Sequence, residues 1–501
     1  MSTILQANRA THDVAPKNQR SLAALYAEVA RANQKFPAII RESQILTHSD
    51  FWDAIQSFAI NMQTYGVKEG SLIALNSADV LASMAMVFAT SALGARFVVA
   101  SHTLALAKVI KPTHFFRTSE VNGSPRVDFK VIDETWLPTE QTRSATLNLA
   151  IDPTPNKDWL YLHTSGTTGL SKYIALSEKL VLDRTAAVAK DFPFQRTTMA
   201  STFSPVSRPF LARGIATLMN AGALVDSGDF DYWKKVGVNL VCGSPLQVGK
   251  LLEGVSFRPR LARIEVSGAK LPDDIAENLL QNFEHVIDVY GAAETNKSFE
   301  NFIEHDSDGR LVRRGMAVNS EVEIVTASGE RCEVSVAGSV RVRNSYVAQG
   351  YVNSPEATAK SFRDGWFYPG DIAMWGKNGE LIVIGRDDDV INIGGYKLNA
   401  GMLDMFFRSI PGISDAIAFA NPKPHAVEKI LVFVVLGKEV ERANVISVAC
   451  ERANTTLGLS IGADSVRPID AIPRTEEGKP DRRACRKMVM ARAGLTWEVP
   501  P

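Results

Sequence analysis

A chain of 501 residues is too long for one ordinary core, so two or more domains are expected. Its 55 basic and 55 acidic side chains cancel, which removes the electrostatic case for nucleic acid or an anionic membrane as the main partner and leaves a small molecule. Cys242, Cys332, Cys450 and Cys485 stand far apart with no C-x-x-C pair, which argues against a disulfide framework or a zinc site and fits a reducing cytoplasm.

Residues 1–20 are polar and lack the apolar centre of a signal peptide, and no apolar run approaches the roughly 20 residues that span a bilayer. Residues 21–34 and 48–65 read as helices, the second with Phe51, Ile55, Phe58, Ala59 and Met62 on one stripe. A strand at 72–76, a helix at 80–93 and a strand at 96–100 follow, an alternation that favours a parallel sheet flanked by helices. Residues 102–155 are loop-rich and without clear period. An apolar run at 159–162 reads as a short strand, and it ends in Thr164, Ser165, Gly166, Thr167, Thr168 and Gly169 before Lys172 closes the turn. Glycines let successive N–H groups point inward, hydroxyls add donors and the lysine adds countercharge, which suits a triphosphate. A plain surface turn has the same composition, and the spacing is not that of a Walker A loop.

The alternation resumes with strands near 199–203, 223–226, 239–242, 263–267 and 285–290, with helices between them. From residue 321 short strands of period two appear, at 321–325, 338–343 and 380–385, so a β-rich subdomain follows the α/β part. After Arg386 comes the polar joint Asp387-Asp388-Asp389, and the last hundred or so residues alternate helices and strands again. The expected division is therefore 1–386 and 387–501.

Four further stretches have the composition of a site. Asp288-Val289-Tyr290-Gly291-Ala292-Ala293-Glu294-Thr295 ends a strand with an aromatic to stack on a base and an acid suited to magnesium, although a strand-end Tyr-Gly also serves packing alone. Gly365 to Asp371 puts Asp371 after a Pro-Gly turn, either to accept from a ribose diol or to cap the turn. Arg386 stands at a strand end ahead of the pair Gly394-Gly395, and Lys479 sits on a turn between Gly478 and Pro480.

In this order the five stretches resemble the motifs of the adenylate-forming superfamily of acyl-CoA synthetases, peptide-synthetase adenylation domains and firefly luciferase. Thr164 to Lys172 resembles its phosphate loop, Tyr290 to Glu294 its Tyr-Gly-x-Thr-Glu motif, and Gly365 to Asp371 its Gly-Trp-Phe-x-Thr-Gly-Asp motif. Gly385 to Lys397 is similar to the hinge region and Gly478-Lys479 to the late catalytic lysine. Gly350-Tyr351, Pro355, Thr358 and Phe362 match the run before Gly365, and Leu46-Thr47, Gly66 and Gly70 resemble the family's start, so the likeness spans nearly the whole chain.

The resemblance implies an α/β fold with a large N-terminal domain and its β-rich subdomain, followed by a small mobile α+β domain. It implies that ATP and a carboxylic acid give an acyl-adenylate and pyrophosphate, after which an acceptor displaces AMP. Thr164 to Thr168, Gly169 and Lys172 would hold the β- and γ-phosphates, and Glu294 the Mg²⁺. Gly268 and Ala269 would border the adenine, whose edge and face fall to Asp288 and Tyr290, with Gly291 and Thr295 also at the nucleotide. Asp371 and Arg386 would take the ribose, and Lys479 would bring carboxylate and α-phosphate together. Asp388 would be the hinge and Gly394-Gly395 the loop toward the acceptor. Phe203, Val206, Ser207, Phe210, Leu211 and Ala292 suggest an apolar, small-to-medium acyl pocket. Coenzyme A is the first choice of acceptor, ahead of a carrier-protein thiol in trans or an amine.

The sequence departs from the family pattern in several places. Ala293 replaces a threonine that touches the α-phosphate, leaving that bond absent or to Thr295. Pro369 replaces another threonine, 401–404 lacks the usual proline and glutamate, and 205–208 lacks the histidine or aromatic placed over the acyl site in many relatives. A non-catalytic nucleotide-binding regulatory protein is the competing class, against which the retained Lys479 argues.

Overall fold

The computed structural model describes residues 20–99, 110–119, 121, 127–143, 157–164, 172–192, 194–387, 389–393, 396–421, 430–437, 440–459, 461–475 and 480–492. The chain packs as two compact units, Met1–Cys242 with Ala348–Pro355, and Gly243–Val347 with Glu356–Pro501.

In the first unit the helix Leu22–Ala32 starts at Ser21, whose hydroxyl accepts the Ala24 N–H at 3.1 Å. The helix His48–Thr64 starts at a reciprocal Thr47/Asp50 capping box. The helix Val80–Ala92 is buried on every side, as its nearly continuous apolar sequence requires. The strands of this unit are β1 (Pro37–Arg41), β2 (Ile45–Thr47), β3 (Leu72–Asn76), β4 (Arg96–Val99), β5 (His114–Thr118), β6 (Phe129–Ile132), β7 (Asp158–Thr164), β8 (Lys172–Ser177), β9 (Thr198–Ser201), β10 (Ala223–Asp226) and β11 (Leu240–Gly243).

One sheet runs β6-β5-β3-β4-β7-β8 and is parallel except for the β7–β8 hairpin. The other runs β11-β9-β10-β1-β2 and is parallel except for β1–β2. This is the parallel architecture expected from strand–helix alternation. The strand expected at 199–203 stops at Ser201, and the next N–H, of Thr202, donates to the Cys242 carbonyl at 2.9 Å. The stretch without clear period contributes β5 and β6, packed through aromatic rings: Trp136 is 1% exposed and meets Phe58, Tyr65 and Phe116.

The second unit opens with β12 (Leu261–Ser267), β13 (Phe283–Ala292), β14 (Asn296–His305) and β15 (Leu311–Ala317). Strand β13 is parallel to β12 and antiparallel to β14. The expected β-rich part follows as β16 (Glu321–Val325), β17 (Gly338–Arg343), β18 (Phe362–Arg363), β19 (Trp366–Phe367), β20 (Asp371–Trp375) and β21 (Leu381–Arg386), built around Val340, Val342, Phe299 and Ala373.

Beyond Arg386 come the hairpin β22 (Val390–Ile393) and β23 (Tyr396–Asn399), then the sheet of β24 (Ile413–Ala420), β25 (Ile430–Leu436) and β26 (Val466–Pro468). On β24, Ala416 and Ala418 join one apolar cluster with Leu403, Phe407 and Ala449, while Ile417 and Phe419 join another with Cys485 and Val489. Alternate residues thus face opposite sides, and helices cover both. No described helix is long and apolar enough to cross a membrane.

Candidate active site

Within the second unit, β12 and β13 run side by side with Val266 opposite Asp288 and Ser267 opposite Val289. Immediately after β12, Gly268 takes φ +97°, a backbone setting that a side chain would strain. The chain turns there, buries Leu271 and enters the helix Asp273–Asn282. Strand β13 runs on to a bulge between Tyr290 and Gly291, after which Gly291 faces Lys297 and Ala292 faces Asn296. A Cβ on Gly291 would run into the Asn296 carbonyl, so the β13–β14 turn closes this tightly only around a glycine. The turn holds Ala293, Glu294 and Thr295, all buried. Thr295 is 1% exposed, its hydroxyl accepts from Ser298 at 3.0 Å and its carbonyl accepts from Asn344 at 3.1 Å.

Asp371 and Arg386 are direct partners on the antiparallel strands β20 and β21, with Arg386 Nη1 3.0 Å from Asp371 Oδ1. The Tyr290 hydroxyl donates to the other oxygen, Oδ2, at 2.6 Å. Burial, and then the Asp371 charge, holds the Tyr290 phenol well above its ordinary value, so the ring stays a protonated donor. Asp288 sits half-buried on the same face of β13 as Tyr290. Burial raises its carboxyl to about 6, while Arg313, Lys270, the Leu271 N–H and the Asn301 amide pull the other way. Asn301, opposite Asp288 on β14, also exchanges two hydrogen bonds with the Leu381 backbone at 3.1 and 3.2 Å. One amide therefore registers the start of β21 against β13, and Arg386 lies at the far end of that strand.

Behind the β13–β14 turn lies a buried charge cluster that sequence reading missed. Arg263 Nη2 lies 2.7 Å from Glu265 and 3.1 Å from Glu300, and Lys297 Nζ lies 3.5 Å from Glu265 and pairs closely with Glu300. None of the four side chains is more than 10% exposed. Removing one member of such a cluster leaves an uncompensated buried charge and costs on the order of 3–5 kcal/mol. The cluster ties β12 to β14 across β13, the strand that carries Tyr290 and leads into the turn with Glu294. Its only sequence signals are charges two apart on β12 and three apart on β14, which read equally as a solvated edge.

In the first unit, Thr164 and Lys172 are paired across the β7–β8 hairpin, and the Thr164 hydroxyl donates to the Lys172 carbonyl at 3.4 Å. The loop residues Ser165, Gly166, Thr167, Thr168 and Gly169 lie outside the described residues, as do Asp388, Gly394, Gly395 and Lys479. Lys172 Nζ stands 5.0 Å from the centre of the Tyr351 ring, a cation–π arrangement. Of the residues expected from the sequence to line an acyl pocket, Val206, Phe210 and Leu211 are buried and Phe203 is half-buried. The Ser207 hydroxyl caps the helix Arg208–Met219 by accepting the Phe210 N–H at 3.4 Å. Ala292 belongs to the second unit, where it ends β13. Among the described residues no group of three or more His, Cys, Asp or Glu converges as a metal site.

The model for AMP-binding enzymes matches residues 26–352, and the chain belongs to this family. With it the chain enters the adenylate-forming superfamily that its ordered motifs resemble, the class of AMP-forming acid ligases. It is 28% identical over 346 residues to the 2-hydroxy-7-methoxy-5-methyl-1-naphthoate–CoA ligase of Streptomyces carzinostaticus, an alignment covering 64% of this chain and 61% of that ligase's length. It is 26% identical over 400 residues to a salicylyl-CoA synthase / salicylate adenylyltransferase of a Streptomyces species, covering 74% of this chain and 70% of that protein. ATP-bound MatB from Rhodopseudomonas palustris shares the fold, with a TM-score of 0.75 at 19% identity over 93% of this chain and 98% of that one.

Proposed function

We propose that the protein activates a carboxylic acid with ATP, releasing pyrophosphate, and passes the acyl group to the thiol of coenzyme A. One observation carries this reading: Tyr290, Asp371 and Arg386, drawn from two separate motifs and the hinge-proximal strand end, meet in one hydrogen-bonded group. A carboxylate has about four acceptor sites, so Asp371, oriented by two donors, keeps capacity for ribose hydroxyls, and charge-assisted bonds of this kind are the strong ones. Gly268 and Ala269, Asp288 and Gly291 border the adenine in the same reading, and Thr164 to Gly169 with Lys172 hold the phosphates.

In the first step an oxygen of the acid's carboxylate attacks the α-phosphorus and pyrophosphate leaves. Both reactants are anions, so Lys479 supplies the charge that lets them meet. Magnesium bound with nucleotide phosphates needs only one or two protein carboxylates, and Glu294 is the oxygen donor that fits. Such an ion would neutralise charge on the departing phosphates. In the second step the thiol sulfur attacks the acyl carbon and AMP leaves. Residues 387–501 act here as the mobile domain, and their own two apolar clusters support treating them as a separate body. The widely spaced cysteines, with no C-x-x-C pair among them, support a cytoplasmic setting.

The relatives' naphthoate and salicylate names support an aromatic acid as the first substrate class, and Phe203, Val206, Phe210 and Leu211 are the apolar side chains this reading assigns to it. The adenylyltransferase relative favours one second reading, in which a carrier-protein thiol in trans takes the acyl group. ATP–pyrophosphate exchange across benzoates, naphthoates and short dicarboxylates tests the first step without knowledge of the acceptor. Exchange with an aryl acid and thioester formation with coenzyme A are expected; no exchange with any acid would overturn the reading.

A further inference from the structure

The described residues on either side of Lys479 are fastened by arginines. On the near side Arg474 and Pro480 form an isolated antiparallel bridge, the Asp481 N–H donates to the Pro473 carbonyl at 2.8 Å, and Arg474 Nη2 lies 2.5 Å from Asp415. On the far side Arg482, first residue of the helix Arg482–Arg492, bonds to a strand, a helix and the residue before β22. Its Nε donates to the Ala418 carbonyl of β24 at 2.9 Å, Nη2 to Asp404 Oδ2 at 2.5 Å, and Nη1 pairs with Asp389 Oδ2 at 2.7 Å. Asp404, in the helix Ala400–Arg408, is 4% exposed and its other oxygen accepts the Ala418 N–H at 2.6 Å. Asp389 is itself fixed, because its carbonyl accepts the Ala400 N–H at 2.8 Å.

We propose that Arg482 is a positioning residue for the adenylation step, holding the Lys479 turn in fixed geometry to the residue just past the hinge. This rests on the reading of Lys479 and Asp388 given above. Arg482 lies three positions after the lysine, and Asp389 one position after the joint. The ion pair between them spans from one functional point to the other with little slack. A guanidinium suits the task because its planar fork reaches several acceptors at once, which an ammonium cannot do in the same geometry. The side chains of Arg482 and Asp389 are only 14% and 23% exposed, so the pair is screened less than a surface one.

The experiment compares Asp389→Asn, Arg482→Gln, Arg482→Lys and Lys479→Ala in the full chain. ATP–pyrophosphate exchange is measured with the most active acid of the panel, alongside thioester formation from chemically prepared acyl-adenylate and coenzyme A, and thermal melting. Misplacing a reacting group by about 1 Å costs up to roughly a hundredfold, so Asp389→Asn and Arg482→Gln are expected to lower exchange at least about tenfold while transfer falls much less. Arg482→Lys should not restore exchange. Asp389→Asn keeps the bonds of Arg482 to Asp404 and Ala418, so it answers the question even where Arg482→Gln melts early. A merely structural fastening would lower both half-reactions together, and that outcome, or exchange at the wild-type level in both variants, overturns the proposal. Lys479→Ala separates the two readings: if it alone loses exchange, the positioning role falls; if it keeps exchange, the reading of Lys479 falls and takes the positioning role with it.

Discussion

Arg386 stands directly across the sheet from Asp371, two positions before Asp388, with its guanidinium 3.0 Å from the carboxylate. Asp371 is thereby held in place by its strand partner while Tyr290 fixes its second oxygen at 2.6 Å. The carboxylate is oriented before any ligand arrives, which reduces what binding must spend on ordering it.

Asp371→Ala should therefore weaken ATP binding strongly. Two hydroxyl-to-carboxylate bonds at roughly 1.5–3 kcal/mol each correspond to a loss on the order of a hundredfold or more in affinity. Calorimetric titration with ATP measures this directly. An unchanged dissociation constant would show Asp371 to be a turn residue and no more.

Gly291→Ala tests the tight β13–β14 turn. The added methyl points at the Asn296 carbonyl, so the bulge must open, at a cost of about 1–3 kcal/mol for overpacking. Gly228→Ala is the control, since nothing lies within 4 Å of the same atom there and a change under about 0.5 kcal/mol is expected. Denaturant midpoints for the two variants check the difference, and equal midpoints would show that the turn yields freely.

Glu178 links stability of the first unit to pH. Its Oε1 accepts the Leu22 N–H at 2.7 Å and the Ser91 hydroxyl at 2.5 Å, and burial lifts its carboxyl from 4.5 to about 7. A carboxyl raised in the folded state favours folding most fully below pH about 4.5, and that contribution is lost as pH rises through about 7. A tenfold difference in proton affinity between the folded and unfolded chain corresponds to about 1.4 kcal/mol. Glu178→Gln keeps an oxygen to accept both bonds and removes the titration. The melting temperature of the wild type should fall relative to this variant between about pH 5 and pH 8; parallel profiles would show that Glu178 titrates near its ordinary value.

The strands Leu72–Asn76, Ala223–Asp226, Glu321–Val325 and Gly338–Arg343 coincide with those read from the sequence, because each is a short apolar or alternating run bounded by turn residues. Strands β5 and β6 escaped because Phe115 and Phe116 of β5 and Phe129 of β6 are placed by ring packing, which leaves no local period. In the site, motif order brought Tyr290 and Asp371 to attention although they are 81 positions apart. The clusters around Lys297 and Arg482 carry no such signal. A buried ion pair and a solvated charge look alike in a sequence, and only the tertiary partners distinguish them.

At the joint, the two neighbours of Asp388 are fastened in opposite directions. The Asp387 N–H donates to the Gly370 carbonyl at 2.8 Å, in the turn before β20. Asp389 is bound to Ala400 and to Arg482 on the other side. In the proposed reading, a rotation of the residues past this joint between the two half-reactions would be absorbed by very few torsions, as hinge motions are elsewhere. Proline holds φ near −65°, so Asp388→Pro should confine the joint to one arrangement. The variant is expected to keep most acid-dependent pyrophosphate exchange and to lose acyl transfer to coenzyme A by at least roughly tenfold, about 1.4 kcal/mol in barrier. Both rates are measured on one preparation, exchange with labelled pyrophosphate and transfer by thioester formation. An equal fall in the two would report general damage in place of a locked hinge. If neither falls, the rotation is absorbed elsewhere or both steps proceed in a single arrangement, and Asp388 is then an ordinary linker residue between two well-fastened aspartates.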